Sequence, residues 1–256
     1  MKNAAKERML KGEKLIGAFS VLGSEIAVES LGLGNLDYII IDTEHGPFSD
    51  ESAQNYIRAA RVRKLSPFVR IKEISRSAVL RMLDAGADGL IVPGIQCVDE
   101  VKRLVEYGKF HPLGQRGFGI VRASGYGRED FAQNIDSYFA LANAETMIVP
   151  QCETVGCLEH IEEICKIAGV DGIFIGPFDL SVSMGIPARF DAPEFRAALQ
   201  RVIAACKENK KFCFLFALDA AAARQAFALG VDAVTVSTDA GLLIQAVRQL
   251  AADIKQ

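Results

Sequence analysis

The sequence predicts an α/β fold: a TIM (β/α)8 barrel in one domain over residues 1–256, with a short N-terminal helix. Three observations predict it. Eight short β-rich runs alternate with helical patterns, and a Gly–Asp–apolar motif recurs before every second run. A chain of 256 residues also has the usual size of such a barrel.

Residues 1–15 carry Lys2, Lys6, Glu7, Arg8, Lys11, Glu13 and Lys14 without an apolar core segment. They read as a short amphipathic helix and not as a signal peptide. The first β-rich run is Leu15–Phe19, and a helical pattern over Ser24–Leu33 follows. Gly34-Asn35-Leu36-Asp37 introduces the run Tyr38–Ile41 and a helix over Ser49–Arg63. Pro67–Ile71 leads to a helix over Ser75–Asp84, and Gly86-Ala87-Asp88 introduces Gly89–Val92 with a helix over Val98–Tyr107. The longest irregular stretch, His111–Arg128, holds three Arg and five Gly, which suits a functional or mobile loop. Met147–Cys152 and a helix over Val155–Ile167 come next; Gly169-Val170-Asp171 then introduces Gly172–Ile175 and a helix over Pro193–Glu208. Phe212–Phe216 precedes a helix over Asp219–Leu229, and Gly230-Val231-Asp232 introduces Ala233–Val236 and a last helix over Thr238–Ile254.

Each motif glycine ends a helical pattern and suits the left-handed position that stops a helix. Each run that follows is apolar on both faces, as a buried parallel strand is. The four copies fall on strands two, four, six and eight, which points to a cyclic arrangement. An open doubly wound sheet is the alternative, but Ser20-Val21-Leu22-Gly23-Ser24 after the first strand lacks the dinucleotide fingerprint.

Composition narrows the function. Half the residues are hydrophobic, which excludes disorder, and the net charge of −3 gives no footprint for nucleic acid or an anionic membrane. No apolar stretch approaches the ~18 residues of a membrane span. A soluble, cytoplasmic protein is expected. The six cysteines form no CxxC pair and are expected to be reduced and mostly buried.

In a barrel the active site lies where the strands end. The second strand ends in Asp42-Thr43-Glu44-His45, the third delivers Arg70, the fifth runs into Gln151-Cys152-Glu153 and the sixth into Pro177-Phe178-Asp179. Glu153 and Asp179 are either hard oxygen ligands for Mg²⁺ or Mn²⁺ or caps of the neighbouring helical turns. His45 is either structural or a general base, since histidine titrates in the physiological range. Arg70 needs an anion, which is a protein carboxylate or a substrate oxyanion. No lysine ends the sixth strand, against a Schiff-base mechanism there, and Lys72 reads as a surface residue.

These segments resemble the HpcH/HpaI-type, metal-dependent (class II) 2-oxo acid aldolases. The resemblance rests on Ile41-Asp42-Thr43-Glu44-His45, Phe68-Val69-Arg70, Leu83-Asp84-Ala85-Gly86, Leu90-Ile91-Val92-Pro93, Gly114-Gln115-Arg116-Gly117, Gln151-Cys152-Glu153-Thr154 and the segment from Val170 to Ser181. It implies cleavage of a 4-hydroxy-2-oxo acid to pyruvate and an aldehyde, with oxaloacetate decarboxylation as a side activity. It also implies a divalent cation (Mg²⁺ or Mn²⁺, with Co²⁺ a third choice) and a homo-oligomer, commonly a hexamer, with the eighth helix exchanged between subunits. By match, Glu153 and Asp179 hold the metal, His45 is the base with Asp84 supporting it, and Arg70 stabilises the enolate. Gln151, Phe178 and Asp179 contact the pyruvate moiety. Thr43, Phe178, Phe19 and Phe214-Leu215-Phe216-Ala217 depart from the family pattern and imply a reshaped pocket.

Fold and resemblance pull apart at Asp84. It ends the third main helix, at the opposite rim from His45, where an ion pair with Arg81 is the simple expectation. The reading that reconciles them places Asp84 against His45 of a neighbouring subunit. Two rival functions are a lyase for malyl- or citramalyl-CoA thioesters, which needs a basic groove, and a non-catalytic barrel that binds 2-oxo acids.

Overall fold

Eight parallel strands close on themselves in sequence order in the computed structural model, which describes residues 2–255. The strands are β1 Leu15–Ser20, β2 Tyr38–Asp42, β3 Ser66–Arg70, β4 Gly89–Val92, β5 Met147–Cys152, β6 Gly172–Ile175, β7 Phe212–Ala217 and β8 Ala233–Thr238. Around them lie α1 Ala4–Leu10, α2 Glu25–Leu33, α3 Asp50–Val62, α4 Arg76–Asp84, α5 Val98–Gly108 and α6 Ile135–Glu145. The ring continues with α7 Val155–Glu159, α8 Ile161–Lys166, α9 Pro177–Ser183, α10 Pro193–Glu208, α11 Ala220–Leu229 and α12 Asp239–Lys255. Among the described residues no helix is long and apolar enough to cross a membrane. All six cysteines are free, five of them buried, as the sequence implied.

Helix starts follow local chemistry. Ser24, Ser49, Ser75, Thr154 and Asp219 each accept a hydrogen bond from the backbone N–H three residues on, supplying a partner that a helix N-terminus lacks. One helix, α6, is absent from the sequence reading, and another, α9, is read there only as a helical turn. The inner stripe of α6 is only Tyr138 and Ala142, too narrow for a strong period, and it packs on Phe110. The short α9 starts at Pro177, and its seven residues carry too little stripe to register. The helix expected over Val155–Ile167 is two, α7 and α8, parted at His160, which sits at φ −105°. Gly156 is held against the Gln96 carbonyl, which lies 2.5 Å from the position of an added Cβ, so α7 stays clamped to the loop after β4.

The repeated motif has a structural meaning. Gly86, Gly169 and Gly230 are left-handed at φ 97°, 95° and 104°. Gly34 is not, at φ −81°; the first copy has one extra residue, and Asn35 takes the left-handed step at φ 61°. The aspartates tie each even strand to the odd strand before it. Asp37 accepts from Ile16 N–H at 2.7 Å, Asp171 from Ile148 N–H at 2.9 Å and Asp232 from Cys213 N–H at 3.0 Å. At the fourth copy the facing residue is Pro67, which has no N–H, and Asp88 takes Arg61 instead, 2.6 Å away. Cations from the N-terminal segment complete this ring: Lys6 pairs with Asp171 at 2.6 Å, Arg8 with Asp37 and Lys14 with Asp232 at 3.3 Å. They draw α1 onto the N-terminal mouth of the barrel, where Ala5 and Met9 join the axial core.

That axial core is aromatic. Phe19, Tyr38, Phe68, Phe174 and Phe214 fill it, and glycines make room for the rings. An added Cβ at Gly17 would lie 2.4 Å from the Tyr38 ring, and one at Gly89 would lie 2.7 Å from Phe68. The outer faces of the strands pack on the helices in a second, larger cluster. The exception is α12. Its Leu243, Ile244, Val247, Leu250 and Ile254 are all exposed, and only Asp239 of the helix is buried.

Lys109 is fully buried, donating to Asp171 Oδ2 at 2.9 Å and to the Asn143 carbonyl at 2.9 Å. Burial pulls its pKa down, and Asp171 works against that shift. Asp171→Ala is expected to cost about 3–5 kcal/mol, because it strands this cation in the interior. Lys109→Met should cost less, since Asp171 keeps Lys6 and the Ile148 N–H. Urea denaturation of both variants checks the asymmetry; equal losses would refute it.

Candidate active site

Side chains alternate along a strand, so the residues in step with the axial core also point inward where the strands end. In β2, Tyr38 and Ile40 lead to Asp42; in β3, Ser66 and Phe68 lead to Arg70; in β5, Met147 and Val149 lead to Gln151, with Glu153 two residues beyond. Asp42 and Arg70 are register partners in the ladder. Arg70 Nε donates to Asp42 Oδ1 at 3.0 Å and Nη2 donates to Oδ2 at 2.6 Å, a two-point pair between buried groups. Its Nη1 lies 3.2 Å from Glu44 Oε2, and the guanidinium sits over the Phe19 ring, 4.6 Å from the centroid. Two protein carboxylates, Asp42 and Glu44, therefore hold Arg70 at the mouth.

Asp42 also shapes the turn after β2. Its Oδ1 accepts from the backbone N–H of Glu44 at 3.1 Å and of His45 at 3.4 Å. Gly46 completes the turn, because a Cβ there would meet the Asp42 carbonyl at 2.2 Å. The turn leaves the His45 side chain 71% exposed, with Nε2 3.9 Å from Glu44 Oε2.

Across the mouth, Glu153 Oε1 accepts from Gly94 N–H at 2.6 Å and Oε2 accepts from Gln151 Nε2. The Gln151 amide oxygen is buried without a partner among the described residues. Asp179 stands in the first turn of α9. Neither carboxylate is a helix cap: Gly176 caps α9, and Thr154 caps α7 through its side chain. The capping alternative therefore falls. Glu44, His45, Glu153, Thr154, Asp179, Val182 and Ser183 line one cavity of about 270 Å³. Burial raises the Glu153 carboxyl above the usual range, and Glu44 and Asp179 add to the rise; the bonds from Gly94 and Gln151 oppose it. Burial likewise raises Glu44, with Arg70 opposing.

These groups fit a divalent cation. Among the described residues neither Glu153 nor Asp179 has an ion-pair partner, and Arg70 is already engaged by Asp42 and Glu44. No cluster of three His, Cys, Asp or Glu suited to a metal occurs among them. Two carboxylates that leave further positions to water and substrate oxygens match hard-cation chemistry.

Two sequence candidates lie elsewhere. Phe178 turns away from the cavity, edge-on to Phe190 at 5.0 Å, in a neighbouring groove. Asp84 meets none of the site groups within its own chain. Its expected pairing with Arg81 is corrected: Arg116 Nη2 holds Asp84 Oδ1 at 2.8 Å, and Arg81 pairs with Asp50. Arg116 is buried and stacked 4.7 Å from the Phe110 centroid, so it has the stronger need for an anion. Asp42 and Glu44 were assigned no role from sequence, although the parity of β2 and a buried Arg70 on the next strand signal the first.

Residues 15–246 match the HpcH/HpaI aldolase/citrate lyase family. The chain belongs to that family. A 2-keto-3-deoxy-L-rhamnonate aldolase of Salmonella gallinarum (strain 287/91 / NCTC 13346) is 30% identical over 248 residues, covering 96% of this chain and 91% of its own. A solved HpcH/HpaI aldolase/citrate lyase family protein from Burkholderia cenocepacia J2315 is 34% identical, with TM-score 0.91 and full coverage of both chains. The HpcH/HpaI aldolase from Desulfitobacterium hafniense DCB-2 is 27% identical, with TM-score 0.89, covering 98% of this chain and 96% of its own. The present HpcH/HpaI chain is a metal-dependent class II aldolase, a carbon–carbon lyase, as its sequence motifs implied.

For this HpcH/HpaI aldolase, Asp42 is a positioning residue for Arg70. Asp42→Asn keeps the shape but halves the anchoring of the guanidinium, and is expected to slow deuterium exchange into the pyruvate methyl group by about 100-fold. Proton NMR of pyruvate in deuterated buffer measures this. An exchange rate equal to wild type would remove Asp42 from the site.

Proposed function

We propose that the protein cleaves, or forms, a 4-hydroxy-2-oxo acid to give pyruvate and an aldehyde, with Glu153 and Asp179 holding Mg²⁺ or Mn²⁺, or else Co²⁺. The observation that carries this reading is one mouth with two sides. Arg70 is fixed by two carboxylates, while two further carboxylates face the same mouth without a cation.

Retro-aldol cleavage leaves pyruvate as an enolate, whose negative charge must be stabilised as the C3–C4 bond breaks. A divalent cation, when bound, supplies Lewis-acid stabilisation of that charge. Arg70 adds a fixed positive charge that is already oriented, so no reorganisation is needed at the moment of reaction. His45, at the open edge of the cavity, takes the proton of the 4-hydroxyl as the bond breaks and returns it in the synthetic direction. The Gln151 amide nitrogen donates one hydrogen to Glu153 and keeps its second for an oxygen of the pyruvate moiety, while Asp179 flanks that moiety from α9 and Phe178, whose ring is turned away, meets it through its backbone N–H. Oxaloacetate decarboxylation gives the same enolate, which makes it an expected side reaction. The thioester alternative gains nothing here, because the groove beside the cavity is lined mainly by Phe, Leu and Ala.

The working form is proposed to be a cytoplasmic homo-oligomer, a hexamer by family resemblance. The exposed apolar face of α12 supports exchange of that helix with a second copy. In such an assembly Asp84 reaches His45 of the neighbouring copy and orients its imidazole. Its Oδ2 supports this, since Arg116 takes only Oδ1.

Two outcomes are expected. Chelation abolishes pyruvate release, Mg²⁺, Mn²⁺ or Co²⁺ restores it, and borohydride with pyruvate leaves the protein unmodified by mass spectrometry. A trapped pyruvyl-lysine adduct would sink the reading. Separately, His45→Ala and Asp84→Ala are each impaired alone but regain part of their activity when co-assembled, because some mixed interfaces carry both native groups. Lack of recovery in mixed oligomers confirmed by native mass spectrometry would confine Asp84 to its pairing with Arg116.

A further inference from the structure

The barrel mouth is chemically divided. The carboxylates, guanidinium and imidazole of the site come from β2, β3, β5 and α9, whereas β1 and β7 deliver rings, the one carboxylate beside β1, Asp239, being spent on Ser20 and on the Val21 and Leu22 N–H groups. Phe19, which carries Arg70 on its face, lies 6.0 Å from Phe216, the last inward residue of β7. Phe216 lies 6.3 Å from Phe178, and Phe178 stands edge-on to Phe190 at 5.0 Å and 89°. Phe190 continues to Phe195 at 5.4 Å. An unbroken aromatic arc therefore runs from the guanidinium, past the residue next to Asp179, and out over α10.

The arc opens into a groove of about 690 Å³ between α10 and α11. Leu199, Leu215 and Leu218 line it together with the rings. Its polar lining residues, Asp191, Arg196, Gln200, Asp219 and Gln225, are all exposed, and Asp191 pairs with Arg196 at 2.7 Å, so they mark the rim. Phe178 is 38% exposed and Phe216 half-buried, so both rings present surface to this space.

We infer that the arc is the aldehyde half of the substrate site, and that this protein takes an aldehyde with an apolar alkyl or aryl group. The inference rests on the aldolase reading. In aldol addition pyruvate C3 gives up a proton to a base to become the enolate, its electron pair forms the bond to the aldehyde carbonyl carbon, and the resulting alkoxide takes a proton back, so none is gained or lost overall. The rest of the aldehyde must then lie beyond the pyruvate pocket, and on the aromatic side Phe178, Phe190 and Phe216 offer it apolar surface, backed by the buried Phe19 and Phe195. A hydroxylated chain laid along those rings would lose water and gain no partner from the rings, the polar side chains being confined to the rim. The relatives named for 2-keto-3-deoxy-L-rhamnonate carry a sugar acid in their name; the rings of this chain fit a different tail.

The test uses the full-length protein with pyruvate and Mn²⁺, offering hexanal, benzaldehyde or glyceraldehyde. Hexanal and benzaldehyde are expected to exceed glyceraldehyde in kcat/KM by at least about 10-fold. Phe190→Ala and Phe216→Leu, each confirmed folded by circular dichroism, should each lower that ratio severalfold, mainly through KM for the apolar aldehyde. Deuterium exchange into pyruvate needs no aldehyde and reports the aldolase reading on its own. Exchange by the wild-type protein with equal or reversed aldehyde preference would overturn the aromatic assignment alone. Absence of exchange would overturn both readings. An unchanged preference in both folded variants would also overturn the assignment.

Discussion

Closure of a barrel leaves each strand one choice, which of its two residue sets faces the axis, and the active site inherits that choice. In β3 the choice places Ser66, Phe68 and Arg70 inside and Pro67 and Val69 outside. A slip of one residue would drive Arg70 into the helical layer and Val69 into the mouth. The neighbouring strand has the same parity, so Asp42 arrives opposite Arg70 in the ladder and not one residue away. The close fit of Gly17 to Tyr38 and of Gly89 to Phe68 resists such a slip, because other side chains at those glycines would collide with the rings. Packing deep in the barrel therefore fixes which charges meet at its end.

The two ends of the barrel treat charge in opposite ways. At the N-terminal end each of four aspartates meets a cation, and three also accept a backbone N–H from the adjoining strand. Little is left over there for a ligand to use. At the C-terminal end Arg70 is shared by Asp42 and Glu44, and Glu153 and Asp179 are left facing one another's charge. Burial raises Glu153 and Glu44 because their anionic forms lack water and sufficient counter-charge. The stabilising end is neutralised, and the end left electrostatically incomplete is the one suited to catalysis.

The fold was legible wherever burial wrote a strong pattern. Ile39, Ile40 and Ile41 are buried on both faces of β2, and such runs separated by helix-stop glycines mark a parallel barrel. It was less legible where packing is one-sided. The stripe of α6 is two residues wide, and the close seat of Gly156 against Gln96, at the start of α7, joins segments distant in sequence. In the site, His45, Arg70, Glu153 and Asp179 were visible as polar residues following apolar runs. The place of Asp42 depends on cross-strand register, which a linear reading reaches only once the barrel is assumed. Arg116 as the partner of Asp84 was hidden more deeply, because it lies in a long loop whose path no periodic signal records.

The Arg116–Asp84 pair also bears on how a distant carboxylate could serve His45. A carboxylate already held by a guanidinium is fixed in position and can serve as an anchor. Arg116 is itself immobilised by burial and by Phe110, so Asp84 is held from below while its side chain stays 23% exposed. In the proposed oligomer this arrangement gives the partner's imidazole a fixed acceptor. A fixed acceptor of this kind orients the ring and holds its tautomer. The same loop that looked like an irregular insertion would then set the geometry of a base on another copy of the chain.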